Sequence, residues 1–515
     1  MAVNSNMNTT YGHVFLKNIV KNKTLMWAAA LTAVLCFGFV ITNHSIGVDD
    51  PLRNHYLFSH ESGSLIQQGR LLPLLFNALT GMVDFIPFFN EFIAAALFLL
   101  SALLFAALFQ YVAKGTLSTL SLTAFVCLYI SYSIINEKFI YSLDVVPLMI
   151  AYCCIPLSLL CAYRFSQENR WRDMLVGTVL LMLALGSYES FLFLYFCGVF
   201  AVWLIQYGLS ESKARFKPLL VSGLKYALIF VAAVVVYYAI VYGVQILTDQ
   251  YDVWQRSNPW MYKDEFGNRG FTLQNASAVH QRIKDGIRKI DYLPILEFDI
   301  AVVVGGIVSL FLSVRKRSVY PMLFFIPFCL GNLVIHYISG FIMYRSAQTF
   351  CLFVAFTALL LLSQVEKIRK LRNVLALAVV FLVLIQSADL NRWFYHDQQR
   401  YEKESFAINA MATQLVAECD LSKPVVFVNA PSGGYLDEKL EWGSSVNGNS
   451  VIYWGVGAFG TGKMHEVFEA CGYTFLKRPT EEVKALAKTA SLEMPAWPTE
   501  GCIREFDGFI VVKMA

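Results

Sequence analysis

The stretch TLMWAAALTAVLCFGFVIT (24–42), continued by NHSIGVDDPLR (43–53), decides how the rest of the chain is read. The first part carries no charge and is long enough to cross a bilayer as a helix. The second part places two adjacent carboxylates, Asp49 and Asp50, just beyond that helix. Charges so near a bilayer are costly and mark a function. Lys17, Lys21 and Lys23 precede the run, as they would in a secretory leader. The run is too long for a leader's apolar segment, and no small-residue cleavage pattern follows it. It therefore reads as a retained first helix with a cytoplasmic N-terminus.

The pattern recurs along the chain. Of 515 residues, 57% are hydrophobic and 15% charged, with a mean hydropathy of +0.53. A water-soluble chain would carry about a quarter charged residues. Apolar runs fall at 24–42, 91–112, 117–135, 145–163, 174–187, 191–208, 222–247, 299–314, 319–339, 346–363 and 373–388. They predict a polytopic α-helical membrane protein of about 11 transmembrane helices, with 174–187 and 299–314 shorter than a full crossing. Basic clusters at Lys17/Lys21/Lys23, Arg164/Arg170/Arg172, Lys213/Arg215/Lys217, Arg315–Arg317 and Lys367/Arg369/Lys370/Arg372 then share the cytoplasmic side. The short intervening loops carry few positive charges, as positive-inside topology requires. A net charge of only +4 argues against a nucleic-acid partner.

This topology divides the chain into a transmembrane part, 1–388, and a tail, 389–515, outside the membrane. Two long outer-face loops, 43–90 and 248–298, belong to the first part. The loop 43–90 holds a short apolar piece, 71–82, that reads as interfacial or re-entrant. The loop 248–298 carries Tyr251, Trp254, Trp260 and Tyr262, suited to an interfacial belt. The tail reads as a small α/β domain, with helices at 404–418 and 481–488 and strands at 424–428, 450–454 and 509–514. Most of the 11 cysteines lie in apolar runs. Cys419, Cys471 and Cys502 lie in the tail, where one disulfide can form without the sequence giving its pairing.

The tail segment GVGAFGTGK (455–463) imitates nucleotide-binding loops, but Met464 replaces the Ser/Thr that would hold Mg²⁺. It reads as a Gly-rich loop. No H-E-x-x-H, paired C-x-x-C or G-x-S-x-G occurs, so zinc and serine hydrolase readings lack support.

Asp49 and Asp50 are the candidates for chemistry. A carboxylate there can take a proton from an acceptor hydroxyl, or the pair can hold a divalent cation, Mg or Mn. Their loop also supplies Arg53, His55, His60, Glu61 and, in QQGRLLP (67–73), Arg70. Other loops on the same face add Glu137, Lys138, Asp144, Glu189 and Arg345. Arginines beside apolar helices make good phosphate ligands, because the planar guanidinium is bidentate and always charged.

A first helix, an outer loop with an acidic pair, many further helices and an outer C-terminal domain resemble the layout of the GT-C glycosyltransferases. The finer resemblance is to the GtrII-type bacterial glucosyltransferases that decorate O-antigen. It rests on VDDPLR (48–53), QQGRLLP (67–73), KPVVFVNAP (423–431), MPAWP (494–498) and DGFIVVKM (507–514). The resemblance implies an inverting transferase in the bacterial inner membrane, with a periplasmic tail. The donor would be a sugar, glucose by family, on polyprenyl phosphate. The acceptor would be lipid-linked O-antigen or another envelope glycan. It implies Asp49 or Asp50 as general base, and Arg345 with Arg70 or Lys138 on the leaving phosphate. Arg53, His55, Glu61, Glu137, Asp144 and Glu189 would then contact sugar or acceptor. Membrane lipids, a donor-synthesising glucosyltransferase and a flippase would be functional partners. A flippase of lipid-linked saccharides, an O-antigen polymerase or ligase, and a non-catalytic scaffold are the competing readings.

Overall fold

The computed structural model describes residues 19–47, 65–80, 86, 88–209, 215–249, 272–289, 293–339, 346–429, 450–453, 455–456 and 462–515. Each of the expected apolar runs is helical, and 9 helices among the described residues are long and apolar enough to cross a membrane. The first is α1, Lys23–Thr42, whose start is capped by the Asn22 side chain accepting from Leu25 N. The apolar piece of the first long loop forms α2, Leu71–Thr80. Then come α3, Phe89–Val112, α4, Thr119–Ser131, and one turn, α5, Asn136–Phe139. They are followed by α6, Ser142–Glu168, α7, Trp171–Leu185, and α8, Phe191–Trp203. The next is α9, Phe216–Leu247. The second long loop contributes the polar helix α10, Leu273–Lys289, ahead of α11, Leu293–Lys316.

Two expectations about the spans are corrected. The run at 319–339 is not one helix but two, α12, Tyr320–Gly331, and α13, Val334–Ser339. Pro327 lies inside α12, and the Asn332 side chain donates to the Phe328 carbonyl at 2.6 Å, competing with the helix ladder. The short run 299–314 lies within a full-length helix, which begins upstream at Leu293 and carries Glu297 into the bundle. Glu297 is buried and accepts a hydrogen bond from Gln386 at 2.6 Å.

After α14, Gln348–Val365, the chain enters α15, an unbroken helix of 50 residues, Arg369–Glu418. It runs straight through the 388/389 boundary, since no Gly or Pro occurs within it. At 1.5 Å per residue it is about 75 Å long, far more than a bilayer core. Its second half is the scaffold of the tail.

The bundle interior is aromatic. Phe37, Phe98, Phe105, Phe109, Phe125, Tyr129 and Tyr152 are wholly buried. Phe37 stacks on Phe139 with centroids 4.5 Å apart. Val231, Val235 on α9 and Leu377, Phe381 on α15 face outward instead, as surfaces in contact with lipid do.

The tail contains β1, Val425–Val428, α16, Val451–Tyr453, α17, Gly462–Ala470, α18, Glu481–Ala490, β2, Ile503–Phe506, and β3, Phe509–Lys513. The sheet order is β1-β3-β2, with β1 parallel and β2 antiparallel to β3. Alternation along β1 separates two small cores. Val425 and Phe427 pack with Ile408, Met411 and Leu415 of α15 and Phe468 of α17. Val426 and Val428 pack with Ala487 and Met494 on the opposite face. Ile46, just past α1, is part of the first of these cores.

In the tail, the expected strand at 450–454 is not found over its described residues, 450–453. The Glu404 carboxylate accepts from Val451 N at 3.3 Å and Ile452 N at 3.5 Å, closing a helical turn. Strand β2 was not foreseen. Of the Gly-rich segment, 457–461 lie outside the described residues, and Gly462 and Lys463 open α17. Cys419, Cys471 and Cys502 are free thiols.

Because α15 carries the tail core, Leu415→Ala should lower unfolding stability by about 2–5 kcal/mol. Val416→Ala, at an exposed position, should leave it within about 0.5 kcal/mol. Thermal unfolding of the detergent-solubilised protein measures both.

Candidate functional site

The chain returns from the first long loop through Leu65–Arg70 and is fastened there by buried hydrogen bonds. Tyr237 of α9 donates to the Gly69 carbonyl at 3.1 Å, and Gln245 donates to the Ile66 carbonyl at 2.9 Å. Leu72 N donates to the Gly186 carbonyl at the end of α7, at 2.8 Å. Gly69 has φ of +72°, and a Cβ there would lie 2.5 Å from the Tyr237 hydroxyl. Only glycine combines that backbone with that contact. The turn it makes presents Arg70 at the start of α2.

Facing Arg70 is the connection between α4 and α6. Ser133–Ile135 forms a 3₁₀ turn. Asn136 then accepts from Glu137 N at 2.6 Å and starts α5. Ser142 donates to Glu91 of α3, and Asn90 donates to the Ser142 carbonyl at 3.4 Å. These bonds seat the beginning of α6, where Asp144 occupies the first turn and is favoured by the helix dipole.

The result is a partly open cleft lined by Arg70, Pro73, Glu137, Lys138, Tyr141, Asp144, Leu148, Ser187 and Tyr188. Arg70 Nη1 lies 3.6 Å from Asp144 Oδ2. The Arg70 guanidinium sits 4.9 Å from the centre of the Tyr188 ring, a cation–π contact. Lys138 is buried with only 3% exposure. Ser187 is 1% exposed, and among the described residues its hydroxyl has no hydrogen-bond partner. Two cations, two carboxylates and a hydroxyl thus converge at the common end of several apolar helices. Such an arrangement can bind an anionic headgroup and hydrogen-bond a polyol.

Glu189 is placed beside this cleft, in the turn between α7 and α8. Tyr238 donates to its Oε1 at 3.1 Å. Burial pushes its pKa up, while the Tyr238 bond and the Arg70 charge pull the other way. Further along the same rim, Tyr188 and Ser346 oxygens lie 3.4 Å apart, and Gln348 donates to Ser190 at 2.5 Å. Ser346 directly follows Arg345 in sequence.

Of the residues singled out from sequence, Arg70, Lys138, Glu137 and Asp144 share the cleft, and Glu189 adjoins it. Asp49, Asp50, Arg53, His55, His60, Glu61 and Arg345 lie outside the described residues. Among the described residues no group of three or more His, Cys, Asp or Glu is placed to hold a metal ion. Sequence reasoning missed Tyr141, Ser187 and Tyr188. They carry no charge and no motif, and only the nearness of Ser187 and Tyr188 to Glu189 pointed to them.

Fold and cleft together define a polytopic helical protein with membrane-length helices and a charge-lined cleft at one end of the bundle. Residues 38–413 match the family described as glucosyl transferase GtrII. The chain belongs to the GtrII glucosyl transferase family. No curated protein matches it. Among solved structures, the Archaeoglobus fulgidus oligosaccharyltransferase crystallised with zinc and sulfate aligns at a TM-score of 0.40 and 12% identity. That alignment covers 76% of this chain and 55% of the other, so the chain spans about half the length of the structure it resembles.

Two predictions follow from the local geometry. Gly69→Ala should strain the backbone and displace Tyr237, lowering stability by about 1–3 kcal/mol in thermal unfolding. Glu189 is favoured in its protonated form by the fold. Its contribution to stability is therefore present below the ordinary glutamate range and is lost as pH rises through its raised value. Melting temperatures measured across that range should fall for the native protein. Glu189→Gln should flatten the fall.

Proposed function

We propose that the protein is a membrane glycosyltransferase of the GT-C type. It moves glucose from polyprenyl phosphate to a hydroxyl of an envelope glycan such as lipid-linked O-antigen. Family membership over 38–413 supports the transferase class. The observation that carries the substrate class is the cleft in which Arg70 and Lys138 converge with Asp144 and Glu137. An isoprenoid tail would remain in the apolar surroundings while its phosphate met the two cations. In this reading the basic clusters mark the cytoplasmic end of the bundle. The cleft, the first loop and the tail then lie on the periplasmic side of the inner membrane.

The reaction is a displacement at the anomeric carbon. Asp49 or Asp50 accepts the proton of the acceptor hydroxyl, and the freed oxygen pair forms the new glycosidic bond. The bond from the anomeric carbon to phosphate oxygen breaks on the opposite face, with inversion. The departing oxygen keeps the electron pair. Polyprenyl phosphate leaves with the added negative charge, held by Arg70 and Lys138, with Arg345 as a further ligand. Fixed cations in a partly dry cleft stabilise charge that grows in the transition state without reorganising. Asp144 holds the Arg70 fork in place, and Tyr188 supports its plane. A divalent cation on the acidic pair is the one cofactor this site chemistry admits, and EDTA treatment of the assay tests for it.

Transfer of radiolabelled sugar from purified polyprenyl-phosphate donor should fall by about 10²-fold in Arg70→Ala. It should also fall for Arg70→Lys, since an ammonium reproduces neither the fork nor the stacking on Tyr188. At least one of Asp49→Asn and Asp50→Asn should abolish it. Full activity in both Asn variants would reject the base assignment. Translocation of intact lipid-linked sugar across vesicles, without a new glycosidic bond, would favour a flippase instead.

A further inference from the structure

Among the described residues the largest wholly buried side chain is that of Arg400, in the part of α15 that has left the bundle. Its Nε donates to Asp397 Oδ1 at 3.0 Å and its Nη1 to Glu404 Oε2 at 2.7 Å. Its Nη2 donates to the carbonyl of Ile46 at 2.7 Å. The two carboxylates reach onward to other segments. Asp397 Oδ2 accepts from the Ser45 hydroxyl at 2.5 Å. Glu404 accepts from the Ser450 hydroxyl and from the backbone N–H groups of Val451 and Ile452. Asp397 and Glu404 are 2% and 0% exposed.

One guanidinium between two carboxylates thus ties together three segments distant in sequence. They are the start of the first loop at 45–46, the extramembrane half of α15, and the tail at 450–452. Apolar side chains of the same volume would hold these segments as firmly, because desolvating ions offsets most of their mutual attraction. What ions add is a defined geometry. Each of the three guanidinium nitrogens has an acceptor, and sliding a segment by a residue would strand a buried charge. The cluster fixes Ile46, and Asp49 follows Ile46 by three residues in sequence. The neighbouring cleft is held by a separate set of bonds, those of Tyr237, Gln245 and Gly186 to residues 66–72.

We propose that Arg400, with Asp397 and Glu404, is a positioning cluster by which the tail sets the start of the first loop for catalysis. The tail is then part of the catalytic apparatus rather than an appended binding module. This inference rests on the reading that the acidic pair supplies the base. Arg400 does not touch substrate. It acts through the backbone of Ile46, and Asp397 acts through Ser45.

Ser45→Ala removes one hydrogen bond on the loop side and leaves the buried charges paired. Arg400→Met removes the hub. Hydrogen exchange read by mass spectrometry should show faster exchange at 44–47 in both variants, with 450–453 also faster in Arg400→Met. Transfer assays should show kcat lowered about tenfold or more with KM for the lipid donor within about twofold, as expected when a reacting group is misplaced but the donor cleft is intact. Ser45→Thr, which keeps the hydroxyl, should restore both readouts. Unchanged exchange at 44–47 in Ser45→Ala overturns the cluster's positioning role. Faster exchange with unchanged kcat overturns its catalytic meaning. If Arg400→Met does not fold, the Ser45 pair decides. Wild-type protein that transfers no sugar refutes the proposed function instead, and exchange at 44–47 still judges the cluster.

Discussion

A backbone amide inside a bilayer has no water to bond to, so each must be satisfied within its own segment. This constraint orders the structure. It forces the apolar runs into helices, confines turns to the two ends of the bundle, and sends ionised groups to those ends or into pairs. The cleft exists because turns are tolerated only there. Arg70, the pair Lys138 and Asp144, and Tyr188 come from three connections separated in sequence, and the bundle's alternation brings those connections to one end. The opposite end uses its cations differently. Lys225 donates to the carbonyls of Phe165 at 3.3 Å and Ser166 at 3.0 Å, closing the C-terminal end of α6, and Lys316 donates to the Tyr207 carbonyl at 3.2 Å. There the basic residues satisfy helix ends, whereas at the cleft Arg70 meets a carboxylate and an aromatic ring.

Where a titratable side chain could not be sent to an end, it is hydrogen-bonded. Glu297 meets Gln386, which in turn accepts from Ser131 at 2.5 Å, linking α11, α15 and α4. Arg400 meets two carboxylates and a carbonyl outside the bundle. The first kind of contact keeps a helix from breaking at a polar residue. The second fixes one extramembrane segment against another. Both show a polar side chain whose meaning depends on a partner far away in the chain.

Legibility followed the range of the forces involved. Long apolar runs need no partner to be helical in a membrane, so their positions were readable one by one. The run at 319–339 misled because Pro327 and Asn332 act locally but leave hydropathy high. The run at 299–314 misled in the other direction, since the helix extends upstream through Glu297, which Gln386 hydrogen-bonds. SVIYW at 450–454 has strand composition, yet Glu404 captures its amides and makes a turn. In the site, the charged members Arg70, Glu137, Lys138, Asp144 and Glu189 stood out because charge near an apolar run is conspicuous. Tyr188 and Ser187 did not, since an aromatic and a hydroxyl are ordinary in such a chain.

The sequence by itself determined a polytopic helical chain, the segregation of basic residues, and a set of ionisable residues at loop ends. Those follow from transfer free energies, which are properties of single segments. Only the tertiary structure decided that Arg70 stands over Tyr188 and against Asp144, that α15 runs unbroken from bundle to tail, and that Arg400 joins 45–46 to 450–452. Those arrangements depend on hydrogen bonds and packing between residues tens to hundreds of positions apart, and no local pattern encodes which of many polar groups will meet.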